Sequence, residues 1–473
     1  MATMNELRAS MPARQRVEEA LNKAKALQPL LNAVVTFVDP QSQLDQLADK
    51  PETPMHGVPV VLKDNVCTRG IRTTASSKIL DNYVPFYNAH IVDKLQQAGA
   101  IVIAKASMDE LAMGGTNLTA ASGPVYNPYD RSRMAGGSSG GSAALVAAGV
   151  VPFAIGSDTG DSVRKPASFC GVLGMKPTYG RISRYGIIPY SSSLDHVGYF
   201  TRSALDAAQA LKILAGRDDR DMTSSDREVP DYAAALNSDL RGRRVAVLGN
   251  VMEAIDNPQV KALFEQSVEA LKQRGAEVRV IDLNEDLMKA ILPAYYLIAN
   301  CEATANHSNL DGIRFGVQQP GESMEEVMIR SRTEGFGSLI RKRFVIGSYG
   351  LFVENQEKLF RQAQRVRRLI VEDVTRAMQD FDILIAPASS DVAPKLDDDS
   401  RDQLSDGVLI AENHMIIGNF TGWPSCTVPM GMIDGLPVGL NMTSHAWDEQ
   451  SLFDFAAAME EITGLRDAVA EVK

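Results

Sequence analysis

Seven small residues, Gly136-Gly137-Ser138-Ser139-Gly140-Gly141-Ser142, run without a break into an apolar stretch at 143–151, and few folds accept that join. A glycine/serine linker would stay polar on its far side. The apolar continuation instead predicts a buried helix over about residues 142–151, entered from a tight turn. Glycine lets backbone N–H groups converge there with no Cβ in the way, and a helix N-terminus suits an anionic group. A second such turn follows in Gly156-Ser157-Asp158-Thr159-Gly160-Asp161-Ser162-Val163-Arg164-Lys165-Pro166.

Around these turns helix and strand patterns alternate. Val17, Leu21, Ala24, Leu27 and Leu31 recur at helical spacing, and an extended segment follows over 32–38. Gly57 to Asn65 reads as a buried apolar strand ending in charge at Lys63. Residues 90–98 are helical with Gly99 at the end, and 100–104 are strand-like. Residues 243–248, a helix opened by Asn257-Pro258 and closed at Gly275, and 277–283 form a β-α-β unit. It lacks G-x-G-x-x-G and is not read as a dinucleotide site. A long helix over 356–378, a strand at 383–385, an acidic loop at 397–407, a strand at 438–442 and a final helix from Asp448 to about 462 complete the pattern. No internal repeat or linker interrupts it. The expected fold is α/β: one large domain over 1–473, a central mixed β-sheet covered by helices, with a helical segment over about 1–50 packed on it.

Charge restricts the partners. A net charge of −11 argues against wrapping a polyanion over this chain's own surface, which needs clustered Lys and Arg; any nucleic acid is expected on a partner. Cys67, Cys170, Cys301 and Cys426 have no metal-ligand spacing and are expected as buried thiols in a reducing compartment. With no apolar signal core and no run near the ~18 residues of a membrane span, the expectation is a cytoplasmic protein that contacts no membrane.

Three nucleophilic readings compete for the turns. Gly136-x-Ser138-x-Gly140 and Gly137-x-Ser139-x-Gly141 both satisfy G-x-S-x-G, with His414 or His445 to complete a triad, but residues 127–134 are too polar for the strand that motif needs. Ser162-Val163-Arg164-Lys165 matches Ser-x-x-Lys, which wants both residues on one helical turn; Pro166 is expected to push Lys165 out of the α region. The third reading pairs Lys63 with Ser138 and Ser162. A lysine ending a strand is commonly a solvated strand end; one desolvated by its apolar run has a lowered pKa and can take a proton.

Taken in order, Gly57–Asn65, Gly136–Ser142 and Gly156–Gly171 resemble the motifs of the amidase signature family, which hydrolyses amides with a Ser-Ser-Lys triad. The resemblance implies Ser162 as the acylated nucleophile, Ser138, on a cis peptide, as proton relay, and Lys63 as base. Backbone N–H groups of Thr159, Gly160, Asp161 and Ser162 would form the oxyanion hole. Further stretches, among them 176–186, Ser192–Asp195, 311–316 and 334–337, are similar to one branch of the family, the A subunits of glutamyl-tRNA(Gln) amidotransferases. That branch implies glutamine hydrolysis inside a heterotrimer with the B and C subunits of the amidotransferase. No cofactor is then expected on this chain: ATP and Mg²⁺ serve the complex through the B subunit, which also handles the tRNA. Arg343 would meet the glutamine α-carboxylate and Tyr295 the substrate, although Tyr295 also fits a plain aromatic in an apolar helix. Glu412 is the nearest acid for the α-amine. Where the family usually has glycine before the nucleophile, this chain has Asp161, whose side chain is expected to point away from the oxyanion, onto Arg164 or a backbone N–H.

Overall fold

The computed structural model describes residues 3–48, 52–398 and 405–472. Eleven strands form one mixed sheet in the order β1-β3-β2-β4-β6-β5-β10-β11-β9-β7-β8. They are β1 (Val34–Phe37), β2 (Pro59–Lys63), β3 (Ile101–Ala106), β4 (Phe153–Asp158), β5 (Leu173–Lys176), β6 (His196–Thr201), β7 (Arg244–Leu248), β8 (Glu277–Ile281), β9 (Ile383–Pro387), β10 (Ser425–Ile433) and β11 (Leu436–Ser444). The strands β3, β2 and β4 run parallel, as do β9, β7 and β8, while the centre is antiparallel.

Helices cover both faces because β2, β3 and β4 are buried at every residue, as apolar runs without alternation require. On one side Val17, Ala20, Ala24 and Leu31 of the helix Ala13–Leu31 pack with the helix Gly140–Ala147 against Val61, Ile103 and Phe200. The larger core lies on the other side and joins Val60, Leu62 and Val102 to the C-terminal helix Glu449–Thr463. The 140–147 helix is buried throughout. A Cβ on Gly141 would stand 2.4 Å from the Ser107 carbonyl oxygen, so glycine there permits the helix to seat.

The β-α-β unit is built as read: Asn257 accepts N–H bonds from Gln259 and Val260, Pro258 opens the helix, and Gly275 leaves it at φ +93°. The helix expected at 356–378 is present, running from Val353 to Ala377 with a π-helical turn at Glu357–Arg361. Lys165 does not leave the α region, since Arg164–Cys170 is helical; a proline in the first turn of a helix lacks only an N–H that had no partner there anyway. Most of the acidic loop expected at 397–407 lies outside the described residues. All four cysteines are unpaired and buried, and among the described residues no helix is long and apolar enough to cross a membrane.

The topology decides where chemistry can gather. Leu62 pairs with Ile155 in the parallel β2/β4 ladder, so Lys63 at the end of β2 and Ser157-Asp158 at the end of β4 emerge side by side. The carboxyl ends of parallel strands are where open α/β sheets leave a crevice.

Candidate active site

Lys63 is fully buried. Its Nζ lies 2.7 Å from Ser138 Oγ, 2.8 Å from Ser139 Oγ, 2.9 Å from Ser157 Oγ and 3.2 Å from the Ser157 carbonyl. No carboxylate touches it among the described residues. Burial drives its pKa down to about 7 against the opposing fields of Asp109, Asp158 and Asp195. A buried ammonium held only by hydroxyls and a carbonyl is poorly compensated, so the neutral amine becomes accessible near neutral pH. Lys63 is the only described partner of the Ser138 hydroxyl, which leaves its proton to point at the amine lone pair.

The Gly137–Ser138 peptide is cis. The loop is clamped by Asp109: its N–H donates to the Ser138 carbonyl at 3.2 Å, and a Cβ on Gly137 would fall 1.9 Å from its carboxylate. That carboxylate accepts from the Asn117 N–H at 2.8 Å and the Thr119 hydroxyl at 2.8 Å.

Ser162 is 4% exposed. It reaches the 137–140 turn through its carbonyl, which accepts the Ser139 N–H at 3.2 Å; no side-chain hydrogen bond joins Ser162 to Ser138 among the described residues. The turn that carries Ser162 is braced by hydrogen bonds. Asp158 accepts from the Val163 N–H at 2.9 Å and from Arg164 at 2.8 and 3.1 Å. Burial alone would raise the Asp158 pKa; the Arg164 guanidinium overrides it and holds the carboxyl well below the usual range. Among the described residues the N–H groups of Thr159, Gly160 and Ser162 donate to no protein acceptor. Unpaired N–H groups are rare in protein interiors, and these three lie within four residues of one turn.

Arg164, the side chain expected to meet Asp161, is engaged by Asp158, the Gly160 and Met415 carbonyls and Asn419. The Asp161 charge is felt by Tyr295, whose hydroxyl burial already pushes up. Tyr295 stands over the same turn: a Cβ on Gly160 would meet its ring at 3.1 Å. Arg343, on the helix Ser338–Leu351, joins the same cluster. Its Nη1 donates to the Tyr190 hydroxyl at 2.5 Å, and the Tyr190 ring meets Tyr295 edge-on at 6.5 Å.

Glu412 is held from two sides. One oxygen is paired with Lys165 at 2.7 Å and the other accepts from Ser389 and Ser390. The same pair disposes of Ser-x-x-Lys, because Lys165 turns to Glu412 rather than to Ser162. His414 and His445 bond the Ala411 and Phe381 carbonyls and supply no base to Ser138 or Ser139. Ser139 was read from sequence only as a G-x-S-x-G nucleophile, and Ser157, Asp109, Asp158, Asp195 and Tyr190 were given no role. Ser157 and Asp158 carry a readable signal, lying inside the second glycine turn; Tyr190 has none. Among the described residues no His/Cys/Asp/Glu group could hold a metal ion.

A buried lysine among serines at the carboxyl ends of parallel strands is a setting suited to an amide hydrolase. The amidase family description matches residues 15–453, and the chain belongs to that family. Within it, the chain is 40% identical to the A subunit of glutamyl-tRNA(Gln) amidotransferase from an Exiguobacterium species, over 95% of this chain and 93% of the relative. It is 38% identical to the protein of that name from Thermoanaerobacter pseudethanolicus, over 97% and 96%. The crystal structure of the A subunit of glutamyl-tRNA(Gln) amidotransferase from Thermotoga maritima superposes with a TM-score of 0.83 at 32% identity, covering 100% of this chain and 98% of that one. A peptide amidase from Stenotrophomonas maltophilia gives a TM-score of 0.83 at 30% identity over 99% and 97%.

Proposed function

We propose that this chain, as one amidase domain, is the glutaminase subunit of a glutamyl-tRNA(Gln) amidotransferase. The observation that carries the chemistry is the Lys63–Ser138 contact in a cage without carboxylates, next to Ser162. Neutral Lys63 takes the Ser138 proton as Ser138 takes that of Ser162, and Ser162 Oγ attacks the glutamine side-chain carbonyl carbon. The N–H groups of Thr159, Gly160, Asp161 and Ser162 receive the oxyanion, each typically contributing about 3 kcal/mol. The C–N bond then breaks as the proton returns from Lys63 through Ser138 to the leaving nitrogen. Ammonia departs and leaves a γ-glutamyl ester on Ser162. Water repeats the sequence along the same proton path and releases glutamate.

Arg343 and Tyr295 define the substrate end, a planar cation for the α-carboxylate beside an aromatic wall. Glu412 takes the α-ammonium by giving up part of its bond to Lys165. The ammonia passes to the B subunit, where ATP and Mg²⁺ activate Glu-tRNA(Gln), with the C subunit completing the heterotrimer in the cytoplasm. This chain then holds no cofactor and meets tRNA mainly through the B subunit, in keeping with its acidic balance.

The test is ammonia release from glutamine by the tagged protein recovered with its partners from source-cell lysate, wild type beside Ser162→Ala. Release by the wild type alone, increased by ATP and Glu-tRNA(Gln), is the expected result. Release that ignores tRNA and needs no partner would replace this reading with a stand-alone amidase.

A further inference from the structure

Tyr190 is buried and makes more of the substrate end than any residue read from sequence. Its hydroxyl accepts from Arg343 Nη1 at 2.5 Å; the guanidinium carbon lies 5.7 Å from its ring centroid and 5.2 Å from that of Tyr296. Its backbone is held on both sides, the N–H by Asp195 at 2.8 Å and the carbonyl by Asn306 at 3.1 Å. The other Asp195 oxygen accepts the Thr159 hydroxyl at 2.7 Å, so one carboxylate ties Tyr190 to the nucleophile turn. Tyr295 makes a second tie, packed against Tyr190 on one side and Gly160 on the other.

We infer that Tyr190 is a positioning residue that sets Arg343 at a fixed distance from the Ser162 turn, so that the site selects amides carrying an α-carboxylate. The inference rests on the glutaminase reading above. An arginine has five donors on a long flexible stem. A carboxylate partner would orient it but cancel the charge that the substrate needs. A phenol pins one donor, leaves the charge intact and leaves the rest of the fork for a carboxylate. The phenol proton also remains available as a donor, because the hydroxyl accepts from Arg343 rather than donating to it.

The experiment uses Tyr190→Phe, which keeps the ring, in the partner-containing complex. The KM for glutamine is expected to rise about 10- to 100-fold, the range for a lost hydrogen bond to a charged group, with kcat nearly unchanged. Hydrolysis of 4-aminobutanamide, which is glutamine without its α-carboxylate, is expected to be unaffected. Adding Tyr190→Phe to Arg343→Ala should cost nothing further. Glutamine binding by calorimetry in the Ser162→Ala background should weaken by the same factor and does not depend on turnover. An equal loss on both amides, or an unchanged glutamine KM, overturns the inference. A wild type that releases no ammonia, with Tyr190-dependent glutamine binding in Ser162→Ala, would sink the hydrolysis reading and leave Tyr190 in its role. No glutamine binding at all would remove both.

Discussion

Lys63 and Lys105 stand on neighbouring parallel strands, and both are fully buried. Lys105 pairs in register with Leu62 and Lys63 with Ala106, so the two ammonium groups leave opposite faces of the sheet. Lys105 donates to the Val66 carbonyl and the Thr73 hydroxyl, both at 2.7 Å, and has the Asp64 carboxylate at 3.7 Å. Lys63 has three hydroxyls and a carbonyl. Burial lowers both pKa values, but at Lys105 the adjacent Asp64 opposes the shift from contact range, whereas at Lys63 the opposing carboxylates act from beyond it. The same side chain at the same depth thus has a carboxylate within contact range in one place and, among the described residues, none in the other. The partner differs, not the burial.

The strongest way to break this contrast is to exchange each lysine for methionine. Lys63→Met should lower kcat for glutamine hydrolysis by about 10⁴-fold, the upper end for a general base, with the fold retained by circular dichroism. Lys105→Met should do the reverse, costing about 3–5 kcal/mol in denaturant unfolding because it strands the buried Asp64 charge, while the folded fraction keeps its kcat. If both variants lost activity alike, the contrast would fail.

A pH series sharpens it. With the Lys63 pKa at about 7, kcat/KM should fall as pH drops below about 7, because the base is then protonated, and level off above. The linked stability has the same origin. Between about 7 and the ordinary lysine value of 10.5 the unfolded chain holds a proton on this residue that the folded chain lacks, so wild-type stability should rise with pH relative to Lys63→Met. An acid limb unchanged in position when Ser139→Ala removes one hydroxyl from the cage would detach that limb from Lys63.

The smallest expected effect is at Asp161. Its charge is felt at Tyr295, and Asp161→Gly should alter kcat by less than about tenfold, under 1.4 kcal/mol of barrier. A larger rate increase in steady-state assays would mean that the carboxylate opposes the oxyanion.

Much of this architecture was legible in sequence for physical reasons that can be named. The glycine turn had to feed a buried helix because apolar residues followed it at once, and the β-α-β unit carried its own cap, proline and terminal glycine. The strands β5 and β6 were not readable: Leu173–Lys176 is only four residues long, and His196–Thr201 is buried on both faces, so neither shows alternation. In the site, Lys63 and the two serines stood at the ends of recognisable elements. Tyr190 and Asp109 did not, because their roles depend on contacts with Arg343, 153 residues along the chain, and with the Ser138 loop. Glu412 was chosen as the nearest acid in sequence, and its pairing with Lys165 depended on the helix that Pro166 was expected to interrupt.

The central claim is that Ser162 is acylated with Lys63 as the ultimate base. It is tested most directly by acid-quenching the complex during glutamine turnover and locating the ester by peptide mass spectrometry across pH. The account predicts one γ-glutamyl ester, on Ser162, whose rate of formation falls below about pH 7 and which is absent in Lys63→Met. An ester on Ser138 or Ser139, or one that forms undiminished without Lys63, would contradict it.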